Sequence, residues 1–323
     1  MRPAGVPGVF LFHVGGRLAN RPSGGGLSGK MKRTQQAPAL DTLGGAQPYA
    51  GNKREDAMKR LLITGAAGRL GSVLRPRLAP LADVVRLADR VDIADAGPNE
   101  EVVRCEMDDP VAVDAMVEGC DGIVHLGGRP NEGTWEQIRA PNIDGVVHLY
   151  EAARRFGSPR IVFASSNHAT GFYRQDERID NRALPRPDGY YGVSKVFGEM
   201  LARMYHDKFG IETACVRIGS VFPEPVNHRM LASWLSADDF AALIARVFDV
   251  PLLGCPVIYG MSDNATTWWD NAQVDWLGWQ PRDTSEPWRA EIDRTQERPA
   301  PDAPDVVWQG GRFTALPIYR EDE

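Results

Sequence analysis

Tyr191 and Lys195 stand one turn apart at the start of a stretch of helical period, so their side chains share one face. That pairing has a chemical use. A phenol, with an ordinary pKa near about 10, is a poor base at neutral pH. An ammonium a few ångströms away stabilises its phenolate, each unit of depression being worth about 1.4 kcal/mol. Ser166 is the third member. It follows the apolar run Ile161-Val162-Phe163-Ala164, 25 positions before Tyr191, where a hydroxyl at a strand end is placed to hold a reacting oxygen. A base, a cation beside it and a hydroxyl are a set suited to taking a proton from an alcohol.

Such a set needs an electron acceptor, and the start of the folded chain supplies a place for one. The strand-like Leu61–Thr64 runs into Gly65-Ala66-Ala67-Gly68-Arg69-Leu70-Gly71 and then into a helical stretch. Three glycines at this spacing let backbone N–H groups and a helix N-terminus approach a pyrophosphate, which the helix dipole favours. Asp89 ends the second strand, 24 positions after Gly65, where its carboxylate accepts hydrogen bonds from ribose hydroxyls and repels a 2′-phosphate. The expected cofactor is therefore NAD, with neighbouring Arg90 keeping a minor NADP option open. Glu106-Met107 after the third strand and Gly127-Gly128 after the fourth face the same crevice of an open parallel sheet.

From Met58 onward, short apolar runs alternate with helical stretches, the signature of an α/β fold: a Rossmann-type doubly wound parallel sheet with a small C-terminal substrate lobe. Strands are expected at Leu61–Thr64, Val84–Ala88, Val102–Cys105, Gly122–Leu126, Arg160–Ala164 and Thr213–Ile218. Helices are expected at Leu70–Leu78, Pro110–Val117, Trp135–Phe156, Tyr190–Phe209 and Ser236–Val250. The division reads as a disordered extension over 1–57, an NAD-binding core with the catalytic residues over 58–218, and a mainly substrate-binding lobe over 219–323 packed on the same domain. Six of the eight Trp fall between Trp234 and Trp288, and apolar packing of that lobe is the preferred reading over a sugar-stacking platform.

Composition removes several classes. The 323 residues carry a net charge of −6, and the first 57 hold eight Lys/Arg against three Asp/Glu, so the folded body is acidic and unsuited to nucleic acid. No apolar run approaches the roughly 18 residues of a membrane span. The extension is Gly-rich, and Val9–Val14 is too short and broken to read as a signal peptide. Cys105, Cys120, Cys215 and Cys255 form no C-x-x-C pair, and the six His form no ligand pattern, so no metal is expected and a cytoplasmic enzyme with reduced thiols is.

The ordered set Gly65/Gly68/Gly71, Asp89, Ser166, Tyr191 and Lys195 resembles the extended short-chain dehydrogenase/reductase superfamily over essentially all of 58–323. Narrower stretches are similar to the uronate dehydrogenases: Ala164-Ser-Ser-Asn-His-Ala-Thr170, Tyr190-Tyr-Gly-Val-Ser-Lys195, Arg217-Ile-Gly-Ser220, Phe222-Pro223, Arg229-Met230, Trp234-Leu-Ser236, Trp268-Trp269-Asp270 and Gln309-Gly-Gly311. The resemblance implies NAD-dependent oxidation of glucuronate or galacturonate at C1 to an aldarolactone. It implies Arg229 as the carboxylate partner, whose fork suits two parallel hydrogen bonds. Asn167, His168 and Ser220 would be hydrogen-bonding neighbours of sugar and nicotinamide, and Arg69, Leu70 and Lys195 would touch the cofactor. Self-association into a homo-oligomer is likewise implied. The chain departs from the family pattern at Glu106-Met107 and at Arg129-Pro130, the second removing a hydroxyl.

Two other readings share these residues. A nucleotide-sugar epimerase or dehydratase uses the same Ser/Tyr/Lys set but must hold a nucleoside diphosphate, and between Gly219 and Pro281 only Arg229 and Arg246 are fixed cations. A dinucleotide-sensing regulator has no use for a base.

Overall fold

The structure is a computed structural model and describes residues 58–319; the reading of 1–57 as a disordered extension lies outside the described residues. Chain order sets the frame: strand β1 (Met58–Thr64), helix α1 (Arg69–Leu78), β2 (Ala82–Asp89), β3 (Glu100–Arg104), α2 (Pro110–Val117) and β4 (Gly122–His125). Then follow α3 (Trp135–Arg139), α4 (Gly145–Arg155), β5 (Arg160–Ser166), a short β6 (Ile179–Asp180), α5 (Tyr190–Phe209) and β7 (Thr213–Ile218). The remainder includes α6 (Met230–Ser233), α7 (Ala237–Asp249), β8 (Val257–Gly260) and β9 (Trp269–Asp270).

Seven strands pair in the order β3-β2-β1-β4-β5-β7-β8, every pairing parallel. This is the doubly wound order, and its direction reverses between β1 and β4, where ligands bind such sheets. Continuous apolar runs make the central strands because both faces are covered. On one face, Leu74 and Leu78 of α1 and Phe240, Leu243, Ile244 and Val247 of α7 pack on Leu61, Ile63, Val124 and Val216. On the other, α2, α4 and α5 pack on Leu62, Ile123, Ile161 and Phe163. Asp109 caps α2 by accepting from Val111 N and Ala112 N, and Ser236 caps α7 from Asp239 N.

Two elements differ from the sequence expectation. The stretch expected as one helix over Trp135–Phe156 divides into α3 and α4 joined by a π-helical turn, Ala140–Asp144. Pro141 has no N–H to donate to the α-helical ladder, and a wider turn absorbs the break. Strand β8 was not anticipated. Its four residues follow the Pro- and Gly-rich Pro251–Pro256, and only pairing with β7 reveals them as the sheet's edge. Residues 219–323 thus contribute α7 and β8 to the sheet layers, while β6 and β9 form a separate parallel pair built on Trp268, Trp269 and Tyr259.

Candidate active site

A cleft of about 1300 Å³ opens over the C-terminal ends of the strands. It is lined by every catalytic, cofactor and substrate candidate expected from the sequence except Gly71. Gly71 lies beneath the turn, and its role there is close packing. A Cβ on it would sit 2.3 Å from the Gly65 carbonyl oxygen and 2.6 Å from Ala66 Cα, both backbone atoms that have no room to yield. Gly65 has φ +67° and faces the Leu126–Gly127 backbone at 2.9 Å from where a Cβ would be. Together they let the β1–α1 turn lie flat against the turn after β4. Thr64 ties these turns, its Oγ1 accepting from Gly127 N (3.0 Å) and pairing with His125 Nδ1 (2.8 Å).

This cradle fits a dinucleotide. Asp89 Oδ2 accepts from Ala67 N (3.0 Å) and Oδ1 from Val91 N (3.3 Å), which pins the carboxylate beside the glycine turn. The Arg69 guanidinium lies 4.1 Å from the Phe222 ring centroid and joins the glycine turn to the loop after β7. Glu106, Met107 and Leu70 complete that end of the cleft, with Ser220 near its middle. Ser220 is fixed by Ser233, through Oγ at 3.0 Å and through its N–H to the Ser233 carbonyl at 2.7 Å.

The candidate reacting groups, Ser166, Tyr191 and Lys195, come from β5 and α5. The N-terminus of α5 is held by Glu132, whose two carboxylate oxygens accept from Tyr190 N (2.9 Å) and Tyr191 N (3.1 Å), satisfying donors the helix leaves open. Below, Glu199 of α5 accepts from Ser165 Oγ (2.6 Å) and from Arg217 Nε and Nη2 (2.9 and 2.8 Å). This buried network locks α5 to β5 and β7, and so Tyr191 and Lys195 to Ser166. Asn142, set in the π turn, adds a further tie by donating to Ser194 Oγ (3.0 Å), which donates to the Tyr191 carbonyl (2.7 Å).

Electrostatics at the pair differ from the sequence expectation. Lys195 Nζ lies 5.4 Å from the Tyr191 ring centroid. Burial pushes the Tyr191 phenol up to about 12, with Ser166 pulling it down and Asp188 up, and burial pushes the Lys195 ammonium down to about 8. Desolvation penalises each charged form and is the largest cause of both shifts.

Across the cleft, Ser166 Oγ accepts from His168 N (3.2 Å). Asn167 donates to the Ile218 carbonyl (3.1 Å) and accepts at its amide oxygen from Arg229 Nη2 (2.8 Å). Arg229 Nε and Nη2 both donate to the Gln309 carbonyl, the first at 2.9 Å. Its Nε side is therefore taken, and Nη1 makes no hydrogen bond among the described residues. Burial holds the guanidinium down to about 10. Gln309 is itself rigid, its side chain bonded to Trp269 Nε1 (2.9 Å) and to the Arg174 and Glu177 carbonyls. No Trp lines the cleft, and the Trp cluster packs the scaffold behind Arg229, as the packing reading expected. Arg246 lies elsewhere, bonded to Asp249 and the Leu277 carbonyl.

Sequence reasoning missed Glu132, Asp188 and Phe313. Phe313 stacks on His168 with centroids 4.0 Å apart. Glu132 precedes its helix by 58 positions, so no local pattern marks it as a cap; Asp188-Gly189, next to Tyr190, was the signal available. Among the described residues no cluster of His, Cys, Asp or Glu could hold a metal, and no helix is long and apolar enough to cross a membrane.

Comparison with known proteins agrees with this geometry. Residues 61–250 match the model of the NAD dependent epimerase/dehydratase family. The chain is 58% identical over 264 residues to a uronate dehydrogenase of Agrobacterium fabrum, covering 82% of this chain and 100% of that one. It is 54% identical to a uronate dehydrogenase of Pseudomonas putida, covering 79% and 95%. A crystal structure of uronate dehydrogenase from Agrobacterium tumefaciens superposes with TM-score 0.81 at 57% identity, covering 82% of this chain and 100% of that one. A mutant of that enzyme complexed with NAD gives 0.80, covering 81% and 99%. The chain belongs to the uronate dehydrogenase family, within the extended short-chain dehydrogenase/reductases, and is an NAD-dependent oxidoreductase.

Proposed function

We propose that the cleft oxidises free hexuronates, D-glucuronate and D-galacturonate, at C1 to the aldarolactone. The observation that carries this reading is Arg229: a half-buried cation lining the same cleft as Tyr191, with Nη1 uncommitted among the described residues and its other nitrogens anchored. Among the described residues its hydrogen bonds go to neutral groups, and the Asp305 and Asp188 carboxylates act on it only through their field, opposed by Arg312. Such a guanidinium is suited to an anion, which a uronate supplies. Its committed Nε side limits the carboxylate to the Nη1 and Nη2 end.

In this reading Ser166 orients the C1 oxygen and Tyr191 Oη takes the proton of the C1 hydroxyl. NAD, when bound, accepts the C1 hydride and brings a positive ring charge that favours the phenolate. Lys195 adds its own charge and binds the nicotinamide ribose, while the Gly65/Gly68/Gly71 turn, Arg69, Leu70, Asp89, Glu106, Met107, Gly127 and Ser220 hold the remainder. Asn167 and His168 bond the sugar. A positioned base contributes about 10²–10⁴ in rate, and orientation supplies much of the rest. Residues 58–218 carry the cofactor and the base, and 219–323 mainly the substrate wall. Four buried free thiols are in keeping with a cytoplasmic enzyme. Val193, Met200 and Met204, exposed along one face of α5, support self-association into a homo-oligomer.

The test is NADH formation with glucuronate, galacturonate, glucose, galactose and a UDP-sugar, each repeated with NADP. Fast turnover of the two uronates with NAD is expected. Isomerisation of the UDP-sugar with no net NADH would replace this reading by the epimerase.

A further inference from the structure

Asp188 is a carboxylate with a fully buried side chain just before α5, and among the described residues its side chain is hydrogen-bonded to His168 alone. Its Oδ2 lies 2.7 Å from His168 Nδ1, while Oδ1 is buried with no partner among the described residues. The carboxylate fills a slot between two glycines. A Cβ on Gly171 would fall 1.9 Å from Oδ2, and one on Gly310 would fall 2.0 Å from it. Two separate segments thus leave out side chains to admit one acid, at the expense of a buried and under-bonded charge.

The partner it holds is a cleft residue. The His168 ring is clamped by Phe313 on one face and meets Tyr191 edge-on at 5.8 Å. Since a carboxylate only accepts, Nδ1 must carry the proton. The ring nitrogen left for a ligand is Nε2, and the side chain keeps 12% of its surface accessible. In the neutral ring that nitrogen is an acceptor.

We propose that Asp188 is a positioning residue: it fixes His168 as the Nδ1–H tautomer, so that Nε2 accepts a hydrogen bond from a ring hydroxyl of the sugar acid. The role rests on the functional reading above and deepens it. Arg229 answers the carboxylate; His168, oriented through Asp188, answers a hydroxyl, and a misplaced proton would turn that acceptor into a competing donor.

The test uses the full chain labelled with ¹⁵N-histidine, the His168 signals being assigned by their loss in His168→Ala. A single Nδ1–H tautomer is expected, giving way to a mixture in Asp188→Ala. That substitution should raise KM for the uronate roughly tenfold or more, with kcat within about threefold and KM for NAD unchanged. Asp188→Asn fills the same slot and can still turn its amide oxygen to Nδ1, so its KM should lie between the two. In the His168→Ala background the Asp188 substitutions should add nothing, as expected for a residue acting through another. Unchanged KM in both Asp188 variants, or an equal penalty with and without His168, overturns the proposal. The two possible failures separate: no turnover of any uronate by the unaltered chain defeats the functional reading, whereas turnover indifferent to Asp188 defeats the positioning role.

Discussion

The two ends of the cleft are built on different principles. At the cofactor end the contact surface is backbone: the Gly65–Gly71 turn, the Leu126–Gly127 turn and one pinned carboxylate, Asp89. At the substrate end it is side chains. Ser166, Asn167 and His168 come from one segment, Arg229 from a second and Phe313 from a third, with His168 held by Asp188 and Arg229 by Gln309. In the functional reading proposed above, a pyrophosphate would be recognised by what is missing from the chain, and a sugar acid by what has been added to it. The cofactor end should therefore fail through sterics and the substrate end through unpaired polar groups.

The largest effect expected is at their junction. Tyr191→Phe should lower kcat by about 10²–10⁴ while NAD binding, followed by calorimetry, stays near normal; near-normal turnover would remove Tyr191 as the base. Next is the substrate end. Arg229→Ala should raise KM for the uronate on the order of 10²-fold and change KM for NAD little, because a charge-assisted bond is lost from a desolvated site. A matching loss of NAD affinity would mean that the two ends are not independent.

At the cofactor end, Gly71→Ala forces a methyl against backbone and should cost about 1–3 kcal/mol in stability, read as a lower Tm together with weaker NAD binding. Normal NAD affinity in that variant would break the contrast. The smallest effect concerns Lys195 and protons. Its pKa falls from 10.5 to about 8 in the folded chain, so between those values the unfolded chain binds the extra proton. That group's contribution to stability rises with pH through this window, and its penalty is fully present below about 8. Lys195→Met should therefore flatten the pH dependence of Tm between about 8 and 10.

Legibility followed the same divide. The strands from β1 to β7 that build the main sheet, the helix Tyr190–Phe209 and the glycine turn were readable because their signals are local: period, caps and spacing. The π turn at Ala140–Asp144 was not, since Pro141 shows that a helix is disturbed without showing whether it ends or widens. Strand β8 was too short for its period to register.

Sequence alone determined that residues 58–323 carry a doubly wound sheet, a dinucleotide turn with an acid for NAD, and a Ser/Tyr/Lys set. Each of these is a relation between near neighbours in the chain. Tertiary structure alone decided that Glu132 caps the helix of Tyr191, that Gln309 and Asn167 occupy most of Arg229, and that Asp188 stands behind His168. These contacts join residues 20 to 80 positions apart, and their energies depend on burial, which no local pattern records. The Tyr191 pKa belongs with them. Spacing places a cation beside the phenol, but desolvation, a property of the packed interior, sets which way its proton leans.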